Sequence, residues 1–160
     1  MEDTNIKQNK VEEENYTIID AASCILGRLG SNIAKRLLLG EKIKIVNCSK
    51  VVILGKRSFV IKRYQNKIKN RVIKKGPYYS RNPKDIVKRS FRNMLPYKNS
   101  RGKAALLNLK CYNSTPSTLL NKDKQIIDSA KLNQETFLYH TKIDDLCKVL
   151  GYTKLQENYK

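Results

Sequence analysis

The chain has 160 residues, 40% of them hydrophobic, which is enough for one domain with a core of its own. Its 33 Lys and Arg residues outnumber 14 Asp and Glu, and a net charge of +19 on so small a body favours a polyanionic partner. No apolar run approaches the roughly 20 residues of a spanning helix, and no apolar signal segment is recognisable, so we expect no membrane association.

The positive charge is concentrated in one part of the chain. Residues Met1–Asn15 carry a net charge of −3, Tyr16–Leu119 a net charge of +21 and Leu120–Lys160 a net charge of +1. Within the middle segment, Lys56–Lys110 holds 18 basic residues and a single acidic one, Asp85. A surface selected only for solubility would interleave both signs. This imbalance therefore indicates a docking surface for nucleic acid.

The same three segments define the predicted domain organisation. Residues 1–15 are polar and lack apolar periodicity, so we expect a flexible polar tail. Residues 16–119 are expected to form an α/β core domain that binds RNA. Residues 120–160 are expected to form a helical C-terminal extension.

The first predicted elements have a strand–helix–strand pattern. A β-rich run at Tyr16–Asp20 precedes a helix that begins at Gly27 or Arg28 and ends near Leu39, and a second strand follows at Lys42–Cys48. This βαβ pattern implies parallel strands joined by a right-handed crossover. A third apolar run spans Val51–Leu54. The predicted architecture is a three-layer α/β domain, with a small mainly parallel sheet flanked by helices.

Further along the chain, helical patterns alternate with a basic loop. The predicted elements are a helix over Lys56–Val72, a loop over Lys74–Pro83, a helix from Asn82 or Pro83 to Leu95, a helix capped by Ser100 and ending at Leu107, a strand at Leu109–Tyr112, and two helical patterns at Lys122–Ala130 and Lys142–Leu150. The helix that begins near Pro83 is amphipathic. Ile86, Val87 and Phe91 share one side of it, and the basic residues lie on the other.

Motifs that would indicate catalysis are missing from the sequence. His140 is the single histidine, no GxSxG or HExxH motif or phosphate loop occurs, and acidic residues are too sparse in the basic core to hold magnesium. Cys24, Cys48, Cys111 and Cys147 are widely scattered, which favours reduced thiols over a zinc site. We therefore expect neither an enzyme nor a cofactor. The rival interpretation, a metal-dependent nuclease, would require clustered carboxylates.

The residues that we expect to bind RNA are basic or aromatic and surround the loop and the amphipathic helix. Lys and Arg bind phosphate, and an exposed Tyr can stack on unpaired bases. For Tyr78 and Tyr79, stacking on RNA and packing against the domain both remain open. The candidate residues are Arg28, Lys56, Arg57, Lys62, Arg63, Lys74, Lys75, Tyr78, Tyr79, Arg81, Lys84, Lys88, Arg89, Arg92, Lys98, Arg101 and Lys103.

DNA is the weaker alternative partner. The sequence has no zinc-finger ligands, no basic-zipper heptads and no evident helix–turn–helix. Basic residues that are spread over loops and a helix suit an irregularly folded RNA better than a regular groove.

Four motifs in order resemble one family. Ile18-Ile-Asp-Ala21 and Leu26-Gly-Arg-Leu29 are followed by Gly76-Pro-Tyr-Tyr79 with Arg81-Asn-Pro83, by Met94-Leu-Pro96, and by Lys98–Leu106 with Leu109–Tyr112. Across Tyr16–Tyr112 the chain resembles the universal large-subunit ribosomal protein thirteen family. Gly-Pro-Tyr-Tyr indicates the eukaryotic or archaeal form. The segments Ala130–Tyr139 and Leu150–Tyr152 resemble the eukaryotic C-terminal extension. Asn93 departs from the usual glycine of the family, and the chain lacks the long basic terminal helix of many eukaryotic members, so it resembles a shortened, divergent member.

The resemblance implies a structural role in the large subunit of the cytosolic ribosome. The implied partners are large-subunit rRNA and neighbouring large-subunit proteins, the latter through the C-terminal extension. Support of subunit assembly and translation, and passage through the nucleus and nucleolus during assembly, are implied as well. We expect no homo-oligomer. A second, regulatory role outside the ribosome remains open.

Overall fold

The computed structural model describes residues 16–70, 72, 75–132 and 139–153. The predicted tail at Met1–Asn15 lies outside the described residues. The elements are β1 Thr17–Asp20, α1 Leu26–Leu38, β2 Ile43–Val46, β3 Val52–Leu54, α2 Arg57–Lys69, α3 Pro83–Met94, α4 Ser100–Leu107, β4 Leu109–Cys111, β5 His140–Lys142 and α5 Ile143–Val149. Among the described helices, none is long and apolar enough to cross a membrane.

The central sheet is parallel and has the strand order β1-β2-β4. The register aligns Ile19 with Ile45 and Ile43 with Leu109, and all four of these side chains are fully buried. Side chains alternate between the two faces of a strand, so these residues share the face that carries the main core. Residues of α1, α3 and α4 complete this core. The predicted fold class, a small mainly parallel sheet flanked by helices, is confirmed.

The third predicted strand belongs to a second sheet. Strand β3 pairs antiparallel with β5, and Ile53 lies opposite Thr141. The segment that contains β5 and α5 is thereby fastened to the rest of the domain. Leu146 and Leu150 of this segment pack against Val60 of α2. Helix α5 confirms the helical pattern predicted at Lys142–Leu150.

Helices α1 and α3 approach each other closely at Gly30. A Cβ atom at this position would lie 2.6 Å from the Met94 sulfur and 2.8 Å from Cδ1 of Phe91, which is fully buried. The contact between the two helices therefore depends on a glycine in α1. Asn93 is exposed, so its side chain is accommodated without loss of this contact. Because Phe91 is held against α1, the opposite, basic face of α3 has a fixed direction.

The helix predicted over Lys122–Ala130 is wrong. This segment is mostly extended and contains one short turn of 3-10 helix at Asp128–Ala130. Gln125 extends the free edge of β1: its N–H donates to the carbonyl of Ile18 at 2.8 Å, and its carbonyl accepts from the N–H of Asp20 at 2.9 Å. An exposed strand edge offers unpaired backbone groups, and pairing with them outweighs a modest helical pattern.

The helix start predicted at Ser100 is displaced by one residue. Ser100 is the first residue of α4, and Asn99 occupies the capping position without a side-chain cap hydrogen bond. The start of α3 matches the prediction, since Asn82 is the cap and Pro83 the first helical residue.

Candidate nucleic-acid interface

Helix α3 is anchored at its start by two amide side chains. The backbone N–H of Lys84 donates to Asn82 Oδ1 at 3.3 Å and to Asn113 Oδ1 at 2.8 Å. Asn113 follows β4, so the first turn of the helix is tied to the end of the parallel sheet. Ile86, Val87 and Phe91 are buried on the inner face. The rigid inner face therefore presents Lys88 outward, where it is exposed.

A groove of about 360 Å³ lies beside α3. Helix α2 and the loop at residues 78–80 complete its walls. The groove has four cationic side chains and one carboxylate, Asp85, which accepts a hydrogen bond from Ser80 Oγ at 2.8 Å. This basic groove is the most concentrated meeting point of the predicted RNA-binding residues. Its cationic residues are Lys67, Lys88, Arg89 and Arg92.

The two tyrosines of the loop have different environments. The Arg89 guanidinium carbon lies 3.7 Å from the ring centre of Tyr79, and Arg89 also donates to the backbone carbonyl of Tyr78 at 2.8 Å. Lys67 approaches the same ring to 5.7 Å. Tyr79 thus packs within the domain close to two cations, a favourable arrangement for an aromatic ring. Tyr78 is 60% exposed on the groove.

Arg92 is fixed in the wall of the groove. Its guanidinium carbon lies 5.1 Å from the ring centre of Tyr97, and its Nε atom is buried without a hydrogen-bond partner in the described part of the chain. A guanidinium held in this way loses little conformational freedom when it binds a planar anionic group.

The predicted residues of α2, and Lys56 immediately before it, lie on the exposed surface outside the basic groove. Lys56, Arg57, Lys62 and Arg63 are all exposed. Lys56 approaches the ring of Tyr139 to 5.7 Å. Arg63 lines a separate groove of about 430 Å³ between α2, β3 and the start of α1. These residues extend the basic surface beyond the groove.

Those of the remaining predicted residues that the structure describes do not line the basic groove. Arg101 donates to the carbonyl of Leu38 at 3.2 Å, which ties α4 to the end of α1. Arg81 lies beside Gly151, where an added Cβ atom would be 3.1 Å from the Arg81 Nη1 atom. Lys74 lies outside the described residues. The other members of this group are exposed, and they are Arg28, Lys75, Lys98 and Lys103.

Two basic residues near α3 were missed by the sequence analysis. Lys67 follows Tyr64 by three residues in α2, and its ammonium group lies 4.8 Å from the Tyr64 ring centre. Lys110 lines a second groove of about 280 Å³ together with Lys84 and Lys88. A helical i, i+3 spacing between Tyr64 and Lys67 was a usable signal. For Lys110, only the tertiary contact between β4 and α3 shows its position.

The buried thiols are held in the protonated form. Burial raises the pKa of Cys147 to about 12, and it also raises the pKa of Cys24. The neighbouring Cys111 thiol and burial together raise the pKa of Cys48. A protonated thiol is a poor nucleophile and a poor metal ligand. Among the described residues, no group of three or more His, Cys, Asp or Glu side chains could hold a metal ion.

A small α/β domain with a basic helix face and an adjoining cationic groove has the features of the class of polyanion-binding proteins. Comparisons with known proteins specify it further. Residues 14–118 match the family model described as Ribosomal protein L13. The chain therefore belongs to the ribosomal protein L13 family, which confirms the resemblance found in its motifs.

Individual relatives agree with this assignment over most of the chain. The large ribosomal subunit protein uL13 of Archaeoglobus fulgidus is 41% identical over 141 residues, which cover 87% of this chain and 90% of the relative. The protein of the same name from Picrophilus torridus is 43% identical over 135 residues, covering 84% and 96% of the two chains. That of Methanocaldococcus jannaschii is 41% identical over 139 residues, covering 84% and 97%.

Proposed function

We propose that this chain is a structural constituent of the large ribosomal subunit that binds large-subunit rRNA through the basic groove beside α3. The observation that carries the proposal is the meeting of Lys67, Lys88, Arg89 and Arg92 in one groove that contains a single carboxylate. Membership of the ribosomal protein L13 family supports it. No catalytic step is part of this function.

The chemistry of the groove suits an RNA backbone. Lysine binds phosphate as a point charge, whereas the planar guanidinium of arginine can bind two phosphate oxygens at once. Both arginines are already held in place by tyrosine rings, which reduces the entropy lost on binding. Tyr78, exposed on the same groove, is positioned to stack on an unpaired base. The surrounding predicted residues, from Arg28 to Lys103, would neutralise further phosphates.

The finer parts of the function rest on the family and on the C-terminal segment. In this proposal, residues 16–119 are the RNA-binding core, and residues 120–160 are an extension that contacts neighbouring large-subunit proteins. Val149 of α5 is 44% exposed and is available for such a contact. The protein works in the cytosolic ribosome, supports subunit assembly and translation, and passes through the nucleus and nucleolus during assembly.

Salt titration of rRNA binding tests the proposal and separates it from DNA binding. If about 6–10 phosphates are contacted, the affinity for large-subunit rRNA should fall by about 10³–10⁵ between 50 and 200 mM salt. The measurement is a fluorescence-anisotropy titration against an rRNA transcript, with a DNA duplex of matched length as the comparison. Affinity for rRNA that does not change with salt, or equally tight binding of the DNA duplex, would contradict the proposal.

A further inference from the structure

A cluster of lysines surrounds Tyr16 at the start of the parallel sheet. The ammonium groups of Lys44, Lys110 and Lys42 lie 4.6, 5.1 and 5.9 Å from the centre of the Tyr16 ring. Tyr16 immediately precedes β1, and Lys42 immediately precedes β2. Lys44 belongs to β2 and Lys110 to β4. None of these four residues is among the candidates predicted to bind RNA, and together they are called the Tyr16 cluster.

The strand register explains why these side chains meet. Ile18 of β1 lies opposite Lys44 of β2, and Lys44 lies opposite Lys110 of β4, so the three residues share one face of the sheet. Tyr16 and Lys42 each stand two residues earlier in the chain and therefore belong to the same face. This is the face opposite the main core. Its far end is covered by a small apolar group of Ile18, Val46 and Leu119.

The Tyr16 cluster concentrates positive charge. The negative face of the Tyr16 ring attracts the ammonium groups of Lys42 and Lys110 and so holds both on this face of the sheet. Three carboxylates lie in the neighbouring described segments, and each accepts a hydrogen bond from another side chain. Asp85, which lines a groove together with Lys110, accepts from Ser80 at 2.8 Å. Asp20, at the opposite end of β1, accepts from the side chain of Asn47 at 2.9 Å, and Glu41 accepts from Arg36 at 2.7 Å. Lys110 is exposed and Lys42 is half-buried, so both ammonium groups can reach an anion from solvent.

The Tyr16 cluster is continuous with the basic face of α3. Lys110 faces Tyr16 and also lines the groove of about 280 Å³ that contains Lys84, Lys88 and one carboxylate, Asp85. Lys88 in turn lines the basic groove on the other side of α3. One tract of positive charge therefore runs from the basic groove, across α3, to the edge of the parallel sheet. A chain of successive phosphates matches such a tract better than a single small anion does.

We propose that the Tyr16 cluster is a second binding site for an RNA phosphodiester backbone, so that the domain holds RNA on both sides of α3. This inference rests on the proposed function, because it names a further contact with the same class of ligand. It assigns Lys42 and Lys110 to phosphate contacts. Lys44, which is only 3% exposed, is assigned no contact with the RNA.

The test is the salt dependence of rRNA binding by the full chain with the double substitution Lys42→Gln and Lys110→Gln. Each lost phosphate contact should reduce the slope of log affinity against log salt by about 0.7–0.9, so the two together should reduce it by about 1.4–1.8. The matched control is Lys122→Gln with Lys142→Gln, which removes the same charge from exposed positions outside the tract. This control should keep the wild-type slope. A Lys42→Arg, Lys110→Arg variant keeps the charge and should also keep it.

The outcomes distinguish the two proposals. If the wild-type chain binds rRNA with a steep slope and the double glutamine variant has that same slope, the second site is overturned and the proposed function stands. That result would also be obtained if the cluster bound an acidic protein segment instead of RNA. If the wild-type chain shows no salt-dependent binding, the proposed function itself fails. A thermal transition shows whether the double variant is folded. If it is unfolded, the single variant Lys110→Gln replaces it, since this position is exposed. This single variant must then reduce the slope of log affinity against log salt by about half as much.

Discussion

Substituting Gly102 by alanine is expected to destabilise the protein by about 3 kcal/mol, because the added methyl group would collide with backbone rather than with a movable side chain. A Cβ atom at this position would lie 2.1 Å from the carbonyl oxygen of Pro96, 2.4 Å from its carbonyl carbon and 2.9 Å from the nitrogen of Tyr97. Helix α4 would have to move away from the turn that follows α3. Urea unfolding followed by circular dichroism measures the change in the free energy of unfolding.

The matched control for Gly102→Ala is Gly27→Ala. Gly27 lies in the first turn of α1, and an added Cβ atom there would have no heavy atom within 4 Å. Since alanine favours a helix over glycine by about 0.5–1 kcal/mol, this variant should be as stable as the wild type or slightly more stable. Equal stability of the two variants would contradict the close approach of α4 to Pro96.

Reversing the charge of Lys84 and Lys88 is expected to weaken rRNA binding by about 100-fold or more. Both side chains line the groove between α3 and β4, and Lys88 also lines the basic groove. A hydrogen bond to a charged group contributes about 1.5–3 kcal/mol, and two such losses correspond to at least this change in affinity. The measurement is an equilibrium titration of the Lys84→Glu, Lys88→Glu variant against large-subunit rRNA at fixed salt.

The fold should survive this double substitution. Glutamate at position 84 lies in the first turn of α3, where a negative charge interacts favourably with the helix dipole. The two glutamates form a like-charge pair four residues apart, but they replace the like-charge pair of the two lysines, so this interaction changes little. The control is Lys122→Glu with Lys142→Glu, which changes the net charge equally at exposed positions away from α3. Equal losses of affinity in both variants would show a general charge effect and would contradict a defined interface at α3.

The basic helix could be predicted from sequence, but the groove beside it could not. Local spacing is sufficient to separate Ile86, Val87 and Phe91 from Lys88 on opposite sides of α3. The groove, however, combines Lys67 from α2 with residues of α3 and of the loop at residues 78–80. Its assembly depends on helix packing, which amphipathic periodicity does not specify. Tyr79 illustrates the same limit, because only the position of Arg89 shows that this ring packs within the domain.

Local sequence patterns also did not identify which strands pair with each other. The apolar run at Val51–Leu54 correctly indicates a strand, yet its partner β5 lies more than eighty residues further along the chain. The helix predicted over Lys122–Ala130 is wrong for a related reason, because Gln125 pairs with the edge of β1 and does not form a helical turn. Helices are stabilised by contacts along the chain, whereas strands depend on partners that a single segment does not reveal.

Sedimentation of the protein from a cell lysate tests the central claim most directly. The tagged full chain, expressed in its own organism, should migrate with the large ribosomal subunit in a sucrose gradient. It should remain there after a high-salt wash that strips loosely bound factors, because many simultaneous contacts with folded rRNA are lost slowly. A protein found mainly in the soluble fractions at the top of the gradient would contradict the account.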